Sequence, residues 1–148
     1  EQADWVEELV DDAVERGAAV GRGGERYEEN GVHFFEPTLL ADVPRDARIV
    51  LEEQFGPVCA VTTFTDDAGA IELANASDLA LDACVFTSDY DRALDAAERI
   101  DAGAVRINGA PSHGLGDIPF GGNKASGIGR QGLHLTIEEM VRHKSVIL

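Results

Sequence analysis

Residues 108–130 read NGAPSHGLGDIPFGGNKASGIGR and contain seven glycines. Ordering such a loop costs much conformational entropy, because glycine loses more backbone freedom on folding than any other residue. Binding and catalytic residues concentrate in loops that a rigid scaffold positions. The stretch therefore predicts an ordered, functional loop, and the rest of the chain should provide its scaffold.

Alternating strands and helices precede this loop. Apolar runs predict strands at 58–64, 81–86 and 104–108, and helical patterns at 67–76 and 93–100 lie between them. The order strand–helix–strand–helix–strand predicts parallel pairing with right-handed crossovers. We therefore predict an α/β fold, a parallel-type sheet with flanking helices, whose ligand site lies beyond the carboxyl ends of its strands.

The ends of the chain have patterns of their own. Apolar residues at helical spacing predict an amphipathic helix over residues 4–16, which Gly17 ends. An extended segment is expected at 32–40, and a last short helix at about 133–141. The terminal residues 145–148 predict an edge strand that could pair with another protomer.

Two helix starts carry residues that cap helices. Thr65-Asp66-Asp67 precedes the helix at 67–76, and a short polar side chain there can accept a backbone hydrogen bond. Ser88 and Asp91 have the spacing of a capping box, with Asp in place of the usual Glu. Both signals support the positions of the predicted helices.

The composition is that of a globular protein with an acidic surface. At 148 residues the chain suffices for one domain, and no apolar run approaches the ~20 residues of a membrane span. A net charge of −16 argues against nucleic-acid binding. The scattered acidic residues indicate a self-repelling surface, or more sharply a halophilic protein that is unstable at low salt. The opening residues are too acidic for a signal peptide, so we expect a cytoplasmic location.

Cysteine and histidine give no sign of a metal or nucleophile site. Cys59 and Cys84 lie in apolar runs and are expected to be small buried hydrophobic residues. The four histidines are scattered without the spacing of metal ligands, so no metal site is predicted. The sequence Gly127 to Gly132 matches G-x-G-x-x-G, but it lacks the preceding strand and following unit of a dinucleotide fingerprint.

Two long motifs resemble the aldehyde dehydrogenase superfamily. The sequence PFGGNKASGIGR at 119–130 resembles the C-terminal signature of that family, and EEQFGPV at 52–58 resembles its Glu-Glu-x-Phe-Gly-Pro-Val motif. They lie in the expected order, and the segments at 37–43 and 103–108 fit as well. The resemblance covers nearly the whole chain and, with two motifs in register, is specific.

The resemblance implies a coenzyme contact in the first motif. In the family the second glutamate binds the nicotinamide-side ribose hydroxyls and the phenylalanine packs near the nicotinamide, which maps onto Glu53 and Phe55. An ionised carboxylate suits two hydroxyl donors. The alternative is a helix-end carboxylate at Glu53 with Phe55 in the core. The family usually has an aliphatic residue at the position of Gln54.

The resemblance also implies a substrate contact in the glycine loop. Phe120 corresponds to a residue that lines the aldehyde tunnel, and its alternative role is to anchor the turn in the core. Gly121 and Gly122 would let the backbone approach the substrate. His113 falls where the family loop contacts the distal end of the substrate. It would therefore bind a polar or anionic group of the substrate; the alternative is a loop histidine without such a role. Lys124 and Ser126, by contrast, are expected to hold the loop.

The family's catalytic residues have no counterpart here. In aldehyde dehydrogenases a cysteine thiolate attacks the aldehyde, hydride leaves for NAD(P)+, and a Glu-activated water hydrolyses the thioester. The nucleophile, the general base and the dinucleotide-binding domain precede everything matched in this chain, and neither Cys59 nor Cys84 matches the nucleophile. The resemblance thus implies a partial catalytic domain over 1–148, with an oligomerisation strand at about 142–148 and no catalytic residue.

The implied function is that of the complete enzyme, NAD- or NADP-dependent oxidation of a small aldehyde to a carboxylate. The chain alone is expected to be inactive and to bind coenzyme weakly or not at all. Two alternatives are a standalone binding or oligomerisation module and one half of a split enzyme. The expected partners are the missing N-terminal half or full-length protomers in a homo-oligomer, and neither nucleic acid nor a membrane.

Overall fold

The protein is a mixed α/β fold, as the sequence predicts, although four strands follow one another after the first helix. The computed structural model describes residues 1–110 and 118–147, in two compact units, Glu1–Leu73 and Ala74–Leu148. In chain order the elements are α1 (Gln2–Glu15), β1 (Ala19–Arg22), β2 (Arg26–Glu29), β3 (Val32–Phe35), β4 (Thr38–Ala41), α2 (Arg48–Leu51), β5 (Val58–Ala60), α3 (Asp67–Asn75), β6 (Leu79–Ala80), β7 (Asp82–Val85), α4 (Tyr90–Arg99), β8 (Ala104–Ile107), β9 (Asn123–Lys124) and α5 (Leu133–Met140).

The first unit is built around one face of α1. Most of the predicted apolar stripe of this helix is buried, from Val6 to Ala13, whereas Val14 is exposed. The buried residues pack in one cluster with residues of β4 and α2 that include Leu40 and Ile49. Gly17 follows the helix with φ +109°, a left-handed conformation that glycine adopts without strain. The core of this unit is therefore a helix packed on a small sheet.

The sheet of the first unit mixes both pairing directions. Strand β4 pairs antiparallel with β1 and parallel with β5, where Thr38 faces Val58 and Leu40 faces Ala60. Strands β2 and β3 form a separate hairpin, joined by Asn30 and Gly31, which both have positive φ. A two-residue turn with this backbone matches the twist of the strands it joins. The sequence interpretation had only an extended segment there.

The second unit contains the predicted parallel crossover. Strands β7 and β8 pair in parallel from Asp82 and Ala104 to Val85 and Ile107, with α4 between them in the chain. The prediction that 58–64 would be a strand of the same set is wrong, because β5 pairs with β4 and regular strand structure ends at Ala60. Strand β4 ends at Ala41, and Asp42 turns the chain with φ +52°. Residues beyond Val61 thereby lose the pairing partner that a longer strand needs.

Two terminal predictions have different outcomes. The last helix is present as α5. Residues 141–147 have no regular secondary structure, and Val146 and Ile147 are exposed. A strand needs a second strand for its hydrogen bonds. The pairing of residues 142–148 with another protomer therefore stays a prediction.

Hydrophobic burial differs between the units. Among the described residues of 74–148, the buried hydrophobic side chains are the small ones of Ala80 and Ala93. Large apolar side chains of the same unit are exposed, including Phe86, Tyr90, Ile118, Ile128, Leu133 and Met140. A soluble domain normally buries such residues. The described part of this unit therefore presents large apolar side chains on its surface.

A carboxylate joins the two helices of the first unit. Asp12 of α1 accepts hydrogen bonds from the backbone nitrogen of Arg48 at the start of α2, at 2.8 Å, and from Nε of Arg16, at 2.9 Å. The hydrogen bond from the Arg48 backbone, followed by that from Arg16, lowers the pKa of Asp12 below its ordinary value of 3.8. The charged form of Asp12 is therefore part of the folded state.

Replacing Asp12 with asparagine should make the stability of the first unit less sensitive to acid. Because folding lowers the pKa of Asp12, its carboxylate stabilises the fold fully above its unfolded pKa, near 3.8. That stabilisation is lost as pH falls through the lower folded pKa. Asp12→Asn should thus be less stable than wild type at neutral pH, with a gap that narrows on acidification. Urea unfolding followed by the fluorescence of Trp5 measures this.

The matched control is Asp11→Asn, which removes an exposed carboxylate from the same helix. This variant should keep the wild-type dependence of unfolding free energy on pH. A gap between wild type and Asp12→Asn that stays constant from neutral to acid pH would contradict the role given to the Asp12 carboxylate.

Candidate functional site

The two glutamates between α2 and β5 have different surroundings. Glu52 accepts two hydrogen bonds from Arg48, Nε to Oε1 at 2.7 Å and Nη2 to Oε2 at 3.2 Å. These hydrogen bonds lower the pKa of Glu52. Glu53 is exposed and forms no hydrogen bond or ion pair with any other described residue. The fold uses Glu52, whereas the carboxylate of Glu53 is available to a ligand.

Arg48 connects this segment to α1. Its guanidinium lies over the ring of Trp5, 5.0 Å from the centroid, and its backbone nitrogen binds Asp12. The hydrogen bond to Glu52 is the main reason why the pKa of Arg48 is raised. Stacking and a two-point ion pair together fix the direction of the guanidinium more firmly than either contact would. The start of the segment is therefore held by a network rather than by one contact.

Phe55 points away from the core. Its side chain is 77% exposed, which removes the alternative in which it fills the interior of this chain. The backbone oxygen of Phe55 accepts a hydrogen bond from Nε2 of Gln2, at 3.0 Å. A Cβ on Gly56 would overlap the side chain of Val6, so the backbone at Gly56 lies directly on α1. The aromatic ring is thus displayed from a backbone that packs closely on a helix.

A depression of about 610 Å³ lies beside this segment, on the exposed face of the first unit. Arg22, Leu39 and Cys59 line it from three neighbouring strands, and Gly56 and Pro57 contribute as well. Cys59 is exposed, and Cys84 is half-buried. The expectation that both cysteines are buried is therefore wrong. Cys59 and its neighbour Ala60 point to opposite faces of β5 and are both exposed, so neither face of this strand is covered at these two residues.

The turn around Phe120 is held by backbone contacts. Phe120 exchanges two hydrogen bonds with Gln131, at 2.7 and 2.6 Å, and its side chain is half-buried. A Cβ on Gly122 would lie 2.7 Å from the backbone carbon of Ser126, and one on Gly121 would overlap the carbonyl oxygen of Gly129. The glycines therefore permit close approach of the loop to itself, rather than leaving the backbone free.

The polar residues of this loop hold it, as predicted. Lys124 donates from Nζ to the carbonyl oxygens of Asn75 and Ser77, at 2.8 and 3.0 Å. Ser126 Oγ accepts a hydrogen bond from the backbone nitrogen of Ala80, at 2.8 Å. Each side chain connects the turn to the region of β6, which also pairs with β9. Neither side chain is available for chemistry in this arrangement.

The glycine-rich loop leaves the sheet at the predicted place. Asn108, directly after β8, adopts φ +54° and forms reciprocal hydrogen bonds with the backbone of Thr87, after β7, at 2.8 and 2.9 Å. The carboxyl ends of two parallel strands are thereby joined. Sequence reasoning missed this role, although asparagine is the residue that tolerates a left-handed position after a strand. His113 lies outside the described residues, so its role stays a prediction.

The described residues bring together no group of three His, Cys, Asp or Glu side chains that could hold a metal ion. Within the same ranges, no helix is both long and apolar enough to cross a membrane.

Comparison with known proteins gives consistent matches. The sequence matches the profile of the aldehyde dehydrogenase family over residues 1–146. It is 46% identical over 137 residues to the NADP(+) succinate-semialdehyde dehydrogenase of Deinococcus radiodurans, covering 93% of this chain and 28% of that protein. It is 41% identical over 140 residues to the glutarate-semialdehyde dehydrogenase of Pseudomonas putida, covering 94% of this chain and 28% of that protein.

A solved structure agrees with the sequence matches. The NAD-dependent aldehyde dehydrogenase from Sinorhizobium meliloti superposes with a TM-score of 0.86 at 37% identity, over 93% of this chain and 27% of that one. The chain thus spans about 28% of the length of the curated relatives that it matches.

Proposed function

We propose a role for this chain that starts from its family, since the chain belongs to the aldehyde dehydrogenase family. It supplies the contact to the nicotinamide ribose, and one wall of the aldehyde tunnel, in an NAD(P)-dependent aldehyde dehydrogenase. The observation that carries this proposal is the contrast between Glu52, bound to Arg48, and Glu53, exposed beside it. A carboxylate with both oxygens available suits the two hydroxyls of a ribose, because ionised carboxylates only accept hydrogen bonds.

The residues of this chain would bind and orient rather than react. Glu53 would accept the ribose hydroxyls, and Phe55 would limit the position of the nicotinamide ring, which accepts hydride when the coenzyme is bound. Phe120 would form part of the wall that guides the aldehyde. Holding reactants in a productive geometry removes much of the entropic barrier to reaction. The nucleophile and the general base would come from polypeptide outside residues 1–148.

The names of the relatives support a class of substrate. The relatives from Deinococcus radiodurans and Pseudomonas putida are named for succinate and glutarate semialdehydes, which carry a carboxylate at the end opposite the aldehyde. We therefore propose a short aldehyde with a distal acid group, and His113 as the residue that reads this group. NAD and NADP both remain candidates, since the residues that choose between them belong to the adenosine side of the coenzyme.

A separate N-terminal chain, as in a split enzyme, is the second candidate. The exposed apolar side chains of residues 74–148, among them Phe86 at 70%, favour a covered surface over a standalone module with polar faces. Further polypeptide of the same chain and a separate partner chain would both provide that cover. In each case we propose a homo-oligomer that pairs residues 142–148 across protomers, in the cytoplasm.

Purified residues 1–148 should show no aldehyde oxidation by themselves. Neither Cys59 nor Cys84 lies in a nucleophile motif, so no thioester can form on this chain in the proposed mechanism. The measurement is NAD(P)H absorbance with succinate semialdehyde and either coenzyme, with the complete gene product as the positive control. Turnover that scales with the concentration of the purified chain, and that a Cys59→Ser variant abolishes, would contradict the proposal.

Replacing Glu53 with glutamine in the complete gene product should weaken coenzyme binding. A charged acceptor of ribose hydrogen bonds is worth about 1.5–3 kcal/mol, so the KM for the coenzyme should rise by about one to two orders of magnitude. The melting temperature should change little, because Glu53 is exposed and forms no hydrogen bond or ion pair with any described residue. Steady-state kinetics with varied coenzyme, together with thermal melts, measure both quantities.

The companion variant for stability is Glu52→Gln, which removes the neighbouring charge and, because an amide has a single acceptor oxygen, one of its two contacts with Arg48. This variant should lower the melting temperature of the protein. An unchanged coenzyme KM in Glu53→Gln would refute the assignment of the ribose contact to Glu53.

The acidic surface supports a halophilic origin as a further proposal. The net charge of −16 repels itself, and salt shortens the range of that repulsion from about 10 Å at 0.1 M to about 3 Å at 1 M. The melting temperature of the protein should therefore rise steeply with KCl. Sucrose at matched osmolality serves as the control, since it does not screen charge. A melting temperature independent of KCl would count against halophily.

A further inference from the structure

We propose that Gln54 is a positioning residue that directs Glu53 and Phe55 toward the coenzyme, an inference that rests on the proposed function. Its side-chain amide makes two contacts with the backbone ahead of it. Nε2 donates to the carbonyl oxygen of Val58 at 3.2 Å, and Oε1 accepts from the nitrogen of Gly56 at 2.9 Å. One side chain thus closes the turn that leads into β5.

The exposure of successive side chains follows a period of two. Glu52 and Gln54 are half-buried and anchored, whereas Glu53 and Phe55 are exposed. Glu52 has extended backbone angles, φ −106° and ψ 144°. In extended backbone, neighbouring side chains point to opposite sides. The anchored side chains of Glu52 and Gln54 thus alternate with the exposed side chains of Glu53 and Phe55.

The turn has few other means of keeping this arrangement. Helix α1 supports it through Gln2, which donates to the carbonyl of Phe55, and through the close packing of Val6 on Gly56. Both of these contacts act on the backbone after Glu53. Between the Arg48 contact at Glu52 and the helix contacts at Phe55 and Gly56, Gln54 provides the side-chain anchor. Its loss would leave the two outward side chains free to rotate together.

An aliphatic residue could not make these contacts. Leucine at position 54 would fill similar space but would leave the nitrogen of Gly56 and the oxygen of Val58 without this partner. In this chain the amide adds both contacts, because it offers a donor and an acceptor at once. Glutamate at position 54 would keep the acceptor for Gly56 and lose the donor to Val58. The two substitutions separate the two hydrogen bonds.

The experiment compares Gln54→Leu, Gln54→Glu and Glu53→Gln in the complete gene product. It measures kcat, the KM values for coenzyme and aldehyde, the melting temperature and amide hydrogen exchange over residues 53–57. Gln54→Leu should raise the coenzyme KM by about fivefold or more, the worth of one neutral hydrogen bond. The aldehyde KM should stay within about twofold, because the turn would not contact the aldehyde. Exchange at Gly56 should accelerate in Gln54→Leu and less so in Gln54→Glu.

Each outcome separates positioning from simple stabilisation. A lower melting temperature for Gln54→Leu with an unchanged coenzyme KM would make Gln54 structural only and overturn the inference. If Glu53→Gln raises the coenzyme KM and Gln54→Leu does not, the inference fails and the proposed function stands. If Glu53→Gln leaves the coenzyme KM unchanged, the ribose contact at Glu53 is itself wrong, and the inference falls with it.

Discussion

The ion pair between Arg48 and Glu52 is the contact on which the candidate coenzyme site depends. Because side chains alternate along extended backbone, fixing Glu52 on the inner side determines that Glu53 faces outward. A shift by one residue would exchange the two carboxylates and place Glu53 against Arg48. Trp5 and Asp12 hold Arg48 from α1, so the register of the segment is set by the helix that also forms the core.

The second unit holds its loop by a different means. Its turns close through backbone contacts at Gly121 and Gly122, where side chains would collide, and through Lys124 and Asn108, which bind backbone groups. These contacts require glycine for space, the short amide of Asn108 for the neighbouring strand end and the long side chain of Lys124 for reach. Gly121 and Gly122 therefore mark tight packing of the described part of this loop against itself.

Local sequence patterns predicted the helices, whereas strand pairing and side-chain contacts depend on residues far apart in the chain. Helices α1, α3, α4 and α5 lie within a few residues of their predicted positions because their apolar spacing is a property of each segment alone. Asp66 caps α3 through the nitrogen of Gly69, as expected, but the cap of α4 is Asp89 and the predicted Ser88 is wrong. Ser88 and Asp89 are both short polar residues that suit the N-cap position, and the sequence alone does not show which of them occupies it. The hairpin at Asn30 and Gly31 could have been predicted, because Asn-Gly is the residue pair that this two-residue turn favours, but the sequence analysis did not predict it.

The difference between Glu52 and Glu53 could not be derived from residue type, because the two residues are identical and adjacent. It arises from Arg48, one helical turn earlier, and from the packing of that arginine on Trp5. Resemblance to a family selected the same glutamate from its position in a motif. The structure adds the physical reason, and this reason also explains why Phe55 remains exposed. Moving the apolar surface of this ring, 77% exposed, out of water is favourable, and a nicotinamide bound in the proposed position would cover it. In the proposed function, the anchoring that keeps Phe55 outward in the free protein therefore contributes directly to coenzyme affinity.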